Sequence, residues 1–128
     1  MRRFGWVFMR ISGVLLIVLV VGHLVTNLVL GDGIRQVNFA FVAGKWASPF
    51  WQLWALLMLI LALAHGANGI RTIIFDYARR PLSRGLWLGA LGLVTGVIGL
   101  LGALVIFTFD PCPPGAPADL LPSFCPVL

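Results

Sequence analysis

His65 lies deep in an apolar run, Trp51 to Phe75, that ends at the polar pair Asp76-Tyr77, eleven and twelve residues on. An ionisable side chain at that depth is costly in hydrocarbon and usually serves a purpose. Imidazole is the usual axial ligand of electron-carrying or oxygen-binding iron. Gly66 and Gly69 strip side-chain bulk from its neighbourhood, which gives a flat macrocycle room to lie against a helix. Arg71, about 9 Å further along a helix, is at a depth suited to a haem propionate. The plainer alternative is an imidazole satisfied by hydrogen bonding to a neighbouring helix.

A second set of donors gathers at the end of the same run. Tyr77 and Asp76 emerge at the membrane boundary, close in depth to Arg10 and Ser12 at the start of the first apolar run, and the four could line one pocket. A phenol, a hydroxyl and a guanidinium suit the carbonyl oxygens of a quinone, above all as these gain negative charge on reduction. The competing reading is an interfacial tyrosine beside arginines that meet lipid phosphate.

His23 is the other of the two histidines. Counted along helices, it sits roughly 20 Å from Arg10, whereas His65 sits about 9 Å from Arg71 and 18 Å from Tyr77. Two axial ligands of one iron must share a level, so His65 calls for a partner histidine from another subunit. His23 is then either a hydrogen-bonded interior residue or the ligand of a second haem.

The elements that must position these residues are membrane helices. Hydrophobic residues make up 60% of the 128, charged residues 10%, and the mean hydropathy is +1.03, all outside the range of soluble domains. Three spans are expected, at 11–30, 50–75 and 86–109, each long enough for about 30 Å of hydrocarbon. All must be helical, since lipid leaves no backbone group unpaired. Ser48-Pro49 predicts an N-terminal cap for the second, with a hydroxyl and a proline at the first helical position. The chain thus divides into a three-helix membrane domain, 1–109, and a proline-rich tail, 110–128.

Charge fixes the orientation. Arg2, Arg3, Arg10, Arg71, Arg79, Arg80 and Arg84 collect at one side of the spans, against Arg35 and Lys45 at the other. The positive-inside rule places the amino terminus in the cytoplasm and the carboxyl terminus outside. The net charge of +5 is then largely a cytoplasmic collar for anionic lipid or a docked acidic protein, with nucleic acid excluded as a partner. The amino-terminal run is too long for a signal peptide and has no suitable cleavage site, and no mitochondrial presequence is seen, which points to a bacterial cell membrane. Residues 34–46 are expected to lie along the outer surface, with Trp46, Trp51 and Trp54 near headgroup level, or to form an ordinary loop. Cys112 and Cys125 fall outside, where a disulfide between them and a pair of free thiols are both open readings. Gly85, Gly89, Gly92, Gly96, Gly99 and Ala103 make a small-residue stripe, which calls for a closely packed partner within the chain or beyond it.

Arg10-Ile11-Ser12-Gly13, His65-x-x-x-Gly69-x-Arg71 and Asp76-Tyr77, with the three-span layout, resemble the membrane-anchor subunits of succinate dehydrogenase, respiratory complex II. Complexes of this family pair two related anchors, a C-type and a D-type. The Asp-Tyr pair and the segment Val42 to Trp51 are most similar to the D-type anchor of actinobacteria. Arg-x-Ser-Gly and Gly-x-Arg also occur in the C-type anchor, but where that anchor has a quinone-binding serine one turn before the arginine, this chain has Trp6. The resemblance implies half of a two-subunit haem-binding bundle, partnered by a flavoprotein subunit, an iron-sulfur subunit and a second anchor. His65 would be an axial ligand of haem b and Arg71 a propionate partner. Tyr77 would meet the quinone, expected to be menaquinone, with Asp76 in support and with Ser12 and Arg10 in the vicinity of quinone or haem. A quinol:fumarate reductase anchor fits the same residues. A small transporter is disfavoured by the absence of repeats and broken helices, while a structural scaffold would satisfy the glycine stripe alone.

Overall fold

A computed structural model describes residues 2–126, and the side chains of Arg2 and Arg3 lie outside the described residues. Four α-helices account for most of the chain: α1 Arg2–Leu24, α2 Phe39–Trp46, α3 Pro49–Tyr77 and α4 Pro81–Thr108. Three segments are long and apolar enough to cross a membrane: Phe4–Val29, Pro49–Tyr77 and Pro81–Thr108. The expected spans are all present, but helix continues past the hydrophobic limits at the arginine end. α1 begins well before Ile11 and α4 begins at Pro81 rather than Leu86. Hydropathy marks where lipid begins and ends; backbone hydrogen bonding carries the helix on into the headgroup layer.

The last turns of the first span widen into a π-helix, Val25–Val29, closed by the Leu30 amide donating to the Val25 carbonyl at 3.0 Å. A sharp turn follows. Gly33 has φ +60° there, and a Cβ would stand 2.9 Å from the Leu28 carbonyl oxygen, so only glycine fits without rearrangement. The stretch after it is a short helix, α2, started by Asn38, whose Oδ1 accepts from the Phe41 amide at 2.9 Å. Ser48 is the N-cap of α3 with Pro49 in its first turn, but its hydroxyl makes no capping bond. Gln52 Nε2 ties the turn down instead by donating to the Trp46 carbonyl at 2.8 Å.

α3 is the hub, packing most extensively against α4 and next against α1. Its register with α1 is antiparallel: Gly22 lies against Trp54, Ser12 against His65 and Gly69 against Met9. The glycine stripe of α4 is used only in part. Gly99 faces Leu63, and Gly102, which the stripe does not include, makes the closest approach in α4: a Cβ there would fall 2.6 Å from Leu59 Cδ2. A Cβ at Gly85, Gly89, Gly92 or Gly96 would meet nothing within 4 Å.

At the opposite end from the arginines, Cys112 and Cys125 form a disulfide, which resolves the two open readings of these thiols. The tail it closes has little regular structure beyond a single 3-10 turn, Ala118–Leu120. Phe109 anchors its root against Phe39 and Trp46, with ring centroids 6.1 and 5.5 Å away.

Gly102→Leu should destabilise the α3/α4 pair by about 1–3 kcal/mol, the usual range for overpacking. Gly89→Leu, which meets open space within the chain, should leave that pair alone. Denaturant unfolding in micelles measures both.

Candidate functional site

Ser12 is 1% exposed and is the one buried polar residue among those described. A hydroxyl so placed must find partners, because an unpaired polar group away from water is costly. Ser12 Oγ lies 2.6 Å from the Phe8 carbonyl oxygen one turn back and 2.9 Å from His65 Nδ1 across the α1/α3 contact. Its single proton serves the shorter contact to Phe8, so the hydroxyl oxygen accepts from His65 Nδ1–H. Assigned in this way, the tautomer leaves the lone pair of His65 on Nε2. The imidazole is thereby held at one nitrogen and available at the other, the arrangement of a metal-ligating histidine. α1 and α3 pack directly against each other at this point, where a Cβ on Gly13 would stand in ordinary contact with His65 Cε1, at 3.5 Å.

The glycines around His65 divide their roles. Gly66 meets open space, while Gly69 takes Met9 of α1 at 3.8 Å. Room for a flat group therefore lies on the Gly66 side.

The structure separates the other candidates from this pair. Arg71 follows His65 by six residues, which turns it roughly 120° around α3. It lines the cleft with Gly92, Thr95 and Gly96 of α4, its guanidinium 5.5 Å from the Phe75 ring. Arg84 lies over the same ring at 5.0 Å and donates to the Ala78 carbonyl from Nε and Nη2, at 3.2 and 3.0 Å, which ties the α3/α4 turn. Arg10 stacks on Trp6 at 4.1 Å, so the tryptophan at the departure from the C-type pattern packs against the arginine. Tyr77 is 83% exposed at the end of α3, and Asp76 is exposed beside it.

The expected sharing of one depth by Ser12 and Tyr77 is corrected by the register. Ser12 is level with His65, which places it about 18 Å of helix away from Tyr77. Ser12 belongs to the imidazole and not to the tyrosine. His23 is exposed near the far end of α1, eleven residues and about 16 Å beyond Ser12, so the two histidines do not share a level. Among the described residues no group of three or more His, Cys, Asp or Glu could hold a metal ion.

Sequence reasoning missed the Ser12–His65 bond and the polar set Asn27, Lys45 and Trp54 near His23. A lone hydroxyl among apolar residues beside a glycine was the available signal for the first. The second depends on the π-turn and on α2, neither of which hydropathy marks.

Three membrane-crossing helices that bury a serine to hold one inward imidazole define a multi-pass membrane protein with a single prepared histidine. Residues 3–100 match the family described as succinate dehydrogenase/fumarate reductase transmembrane subunit, and the chain belongs to that family. It is also similar to the succinate dehydrogenase hydrophobic membrane anchor subunit of Archaeoglobus fulgidus, 38% identical over 74 residues that cover 56% of this chain and 60% of that protein. The match thus spans less than two thirds of that relative's length.

Ser12→Ala should cost about 1–2 kcal/mol of stability by leaving His65 Nδ1 without its partner. Unfolding of the purified protein in detergent reads the loss.

Proposed function

We propose that this chain is an anchor subunit of a succinate:quinone oxidoreductase, fastening a flavoprotein and iron-sulfur head to the cell membrane. In this reading it shares haem b with a second anchor, to which His65 supplies one axial ligand, and it forms part of the quinone site through Tyr77. The Ser12–His65 bond carries the proposal: it fixes the ring, engages Nδ1 and leaves Nε2 for iron. The residues fit the group in one further respect, the open space beside Gly66.

When bound, haem b would supply a one-electron store next to the quinone path. The chain's own part is to orient and to exclude water. Ser12 holds the imidazole plane, and the apolar faces of α1 and α3 flank the ring. Tyr77 would donate from its phenol to a quinone oxygen, with Asp76 as its neighbour. Its exposure leaves it free to meet the head subunits and a quinone at their junction. Arg71 would reach a propionate on the α3/α4 side of the bundle.

The orientation drawn from charge has independent support. A disulfide forms in an oxidising space, and Cys112–Cys125 lies at the end of the bundle opposite Arg71, Arg79, Arg80 and Arg84. That agrees with a cytoplasmic arginine collar, where the succinate-oxidising head would dock. The reverse reaction, fumarate reduction, uses the same anchor, and the direction follows from cofactor potentials set largely outside this chain.

His65→Ala should abolish or strongly diminish the b-type signal in a reduced-minus-oxidised spectrum of the purified complex. An unchanged spectrum would move the ligand elsewhere, with His23 next in line, and a haem content near two per complex would favour a second site there. Tyr77→Phe should lower quinone reduction roughly 10-fold or more, by analogy with other lost transition-state donors, while leaving the haem spectrum unaltered. Unchanged turnover would place the quinone away from Tyr77.

A further inference from the structure

Where α1 passes into the π-helical turns Val25–Val29, a geometry frequent at functional sites, the bundle opens a cavity of about 390 Å³. His23, Asn27, Lys45, Trp46, Trp51 and Trp54 line its polar and aromatic end, and its lining holds no Asp or Glu. Asn27 is fixed by donating from Nδ2 to the His23 carbonyl, which presents its Oδ1 to Lys45 Nζ at 2.9 Å. The ammonium also lies 4.3 Å from the Trp51 ring and 4.8 Å from the Phe41 ring. Every one of these partners is neutral. An ammonium has three protons to give, so the arrangement positions the cation and leaves its charge unbalanced.

Partial burial holds the Lys45 amine below the usual lysine range, because desolvation disfavours the charged form. Trp54 packs its ring against Gly22, and its Nε1 is buried with no acceptor, a costly state for a polar group.

The cavity does not end at its polar head. A second space of about 590 Å³ lies between α3 and α4, shares Trp46, Ala55 and Met58 with the first, and is otherwise lined by aliphatic residues and Gly102. One end therefore demands an anion with acceptor oxygens and the other a hydrocarbon chain.

We propose that the two spaces form one binding site for an anionic phospholipid, its phosphate against Lys45 beside Asn27 and His23, and an acyl chain in the α3/α4 groove. The tryptophans at its mouth stand where headgroups lie, so the membrane itself delivers the ligand. A quinone would accept hydrogen bonds here but would leave the lysine charge unanswered. A zwitterionic lipid would bring a second cation toward Lys45. The site stands apart from His65, at the other end of α1, and is independent of whether His65 holds iron.

Native mass spectrometry of the intact complex in neutral detergent, titrated with phosphatidylglycerol, phosphatidylcholine, glycerol 3-phosphate or a short-tailed menaquinone, tests this. The expected result is one tightly held phosphatidylglycerol. Lys45→Gln should weaken it roughly 10-fold or more, the scale of a lost charge-assisted hydrogen bond, while Lys45→Arg retains it and both variants keep the wild-type complement of subunits. Equal binding to Lys45→Gln, equal retention of phosphatidylcholine, preference for menaquinone, or full competition by glycerol 3-phosphate without a tail would each overturn the proposal. So would a structure of the complex with a partner carboxylate seated on Lys45.

Discussion

The account rests on one hydrogen bond inside lipid, from His65 Nδ1 to Ser12 Oγ. In water such a bond contributes little net, because each group exchanges one partner for another. In hydrocarbon the alternative is an unpaired imidazole N–H, so the bond sets the α1/α3 register as well as the ring. The serine in turn passes its own proton to the Phe8 carbonyl. A relay of this kind leaves one nitrogen of the ring uncommitted, and the proposed haem ligation rests on that nitrogen.

The rest of the bundle is unfinished when viewed alone. Apart from Ser12, the buried residues among those described are Leu19, Ala43, Ile74, Ile106, Pro122 and Cys125, very few for a three-helix domain. Part of the exposed apolar surface belongs to lipid. At four stripe glycines of α4, Gly85, Gly89, Gly92 and Gly96, a Cβ would meet nothing within 4 Å, and small residues in a membrane helix favour close approach by another helix. That face is open to another helix.

Much of this was legible in the sequence because membrane helices obey strong constraints. Apolar length gave the number of spans. Helix ends were misjudged since Arg10, Pro81 and Ser83 are polar or breaking residues that still sit in helical backbone. The depth of His65 singled it out, but its partner Ser12 could not be assigned without the interhelical register, and hydropathy carries none. The same ignorance of register grouped Ser12 with Tyr77. The cavity around Lys45 was hidden for a different reason: a π-helical widening has no compositional mark, and Ser48, the obvious capping hydroxyl, leaves its work to Gln52.

An electron cryo-microscopy map of the assembled complex, purified in its oxidised form, tests the central claim most directly. The account predicts His65 Nε2 within coordination distance of a haem iron, with a histidine of the second anchor opposite and with Ser12 still bonded to Nδ1. A map that shows His65 packed without a porphyrin beside it, or ligating through Nδ1 with Ser12 turned away, would contradict it.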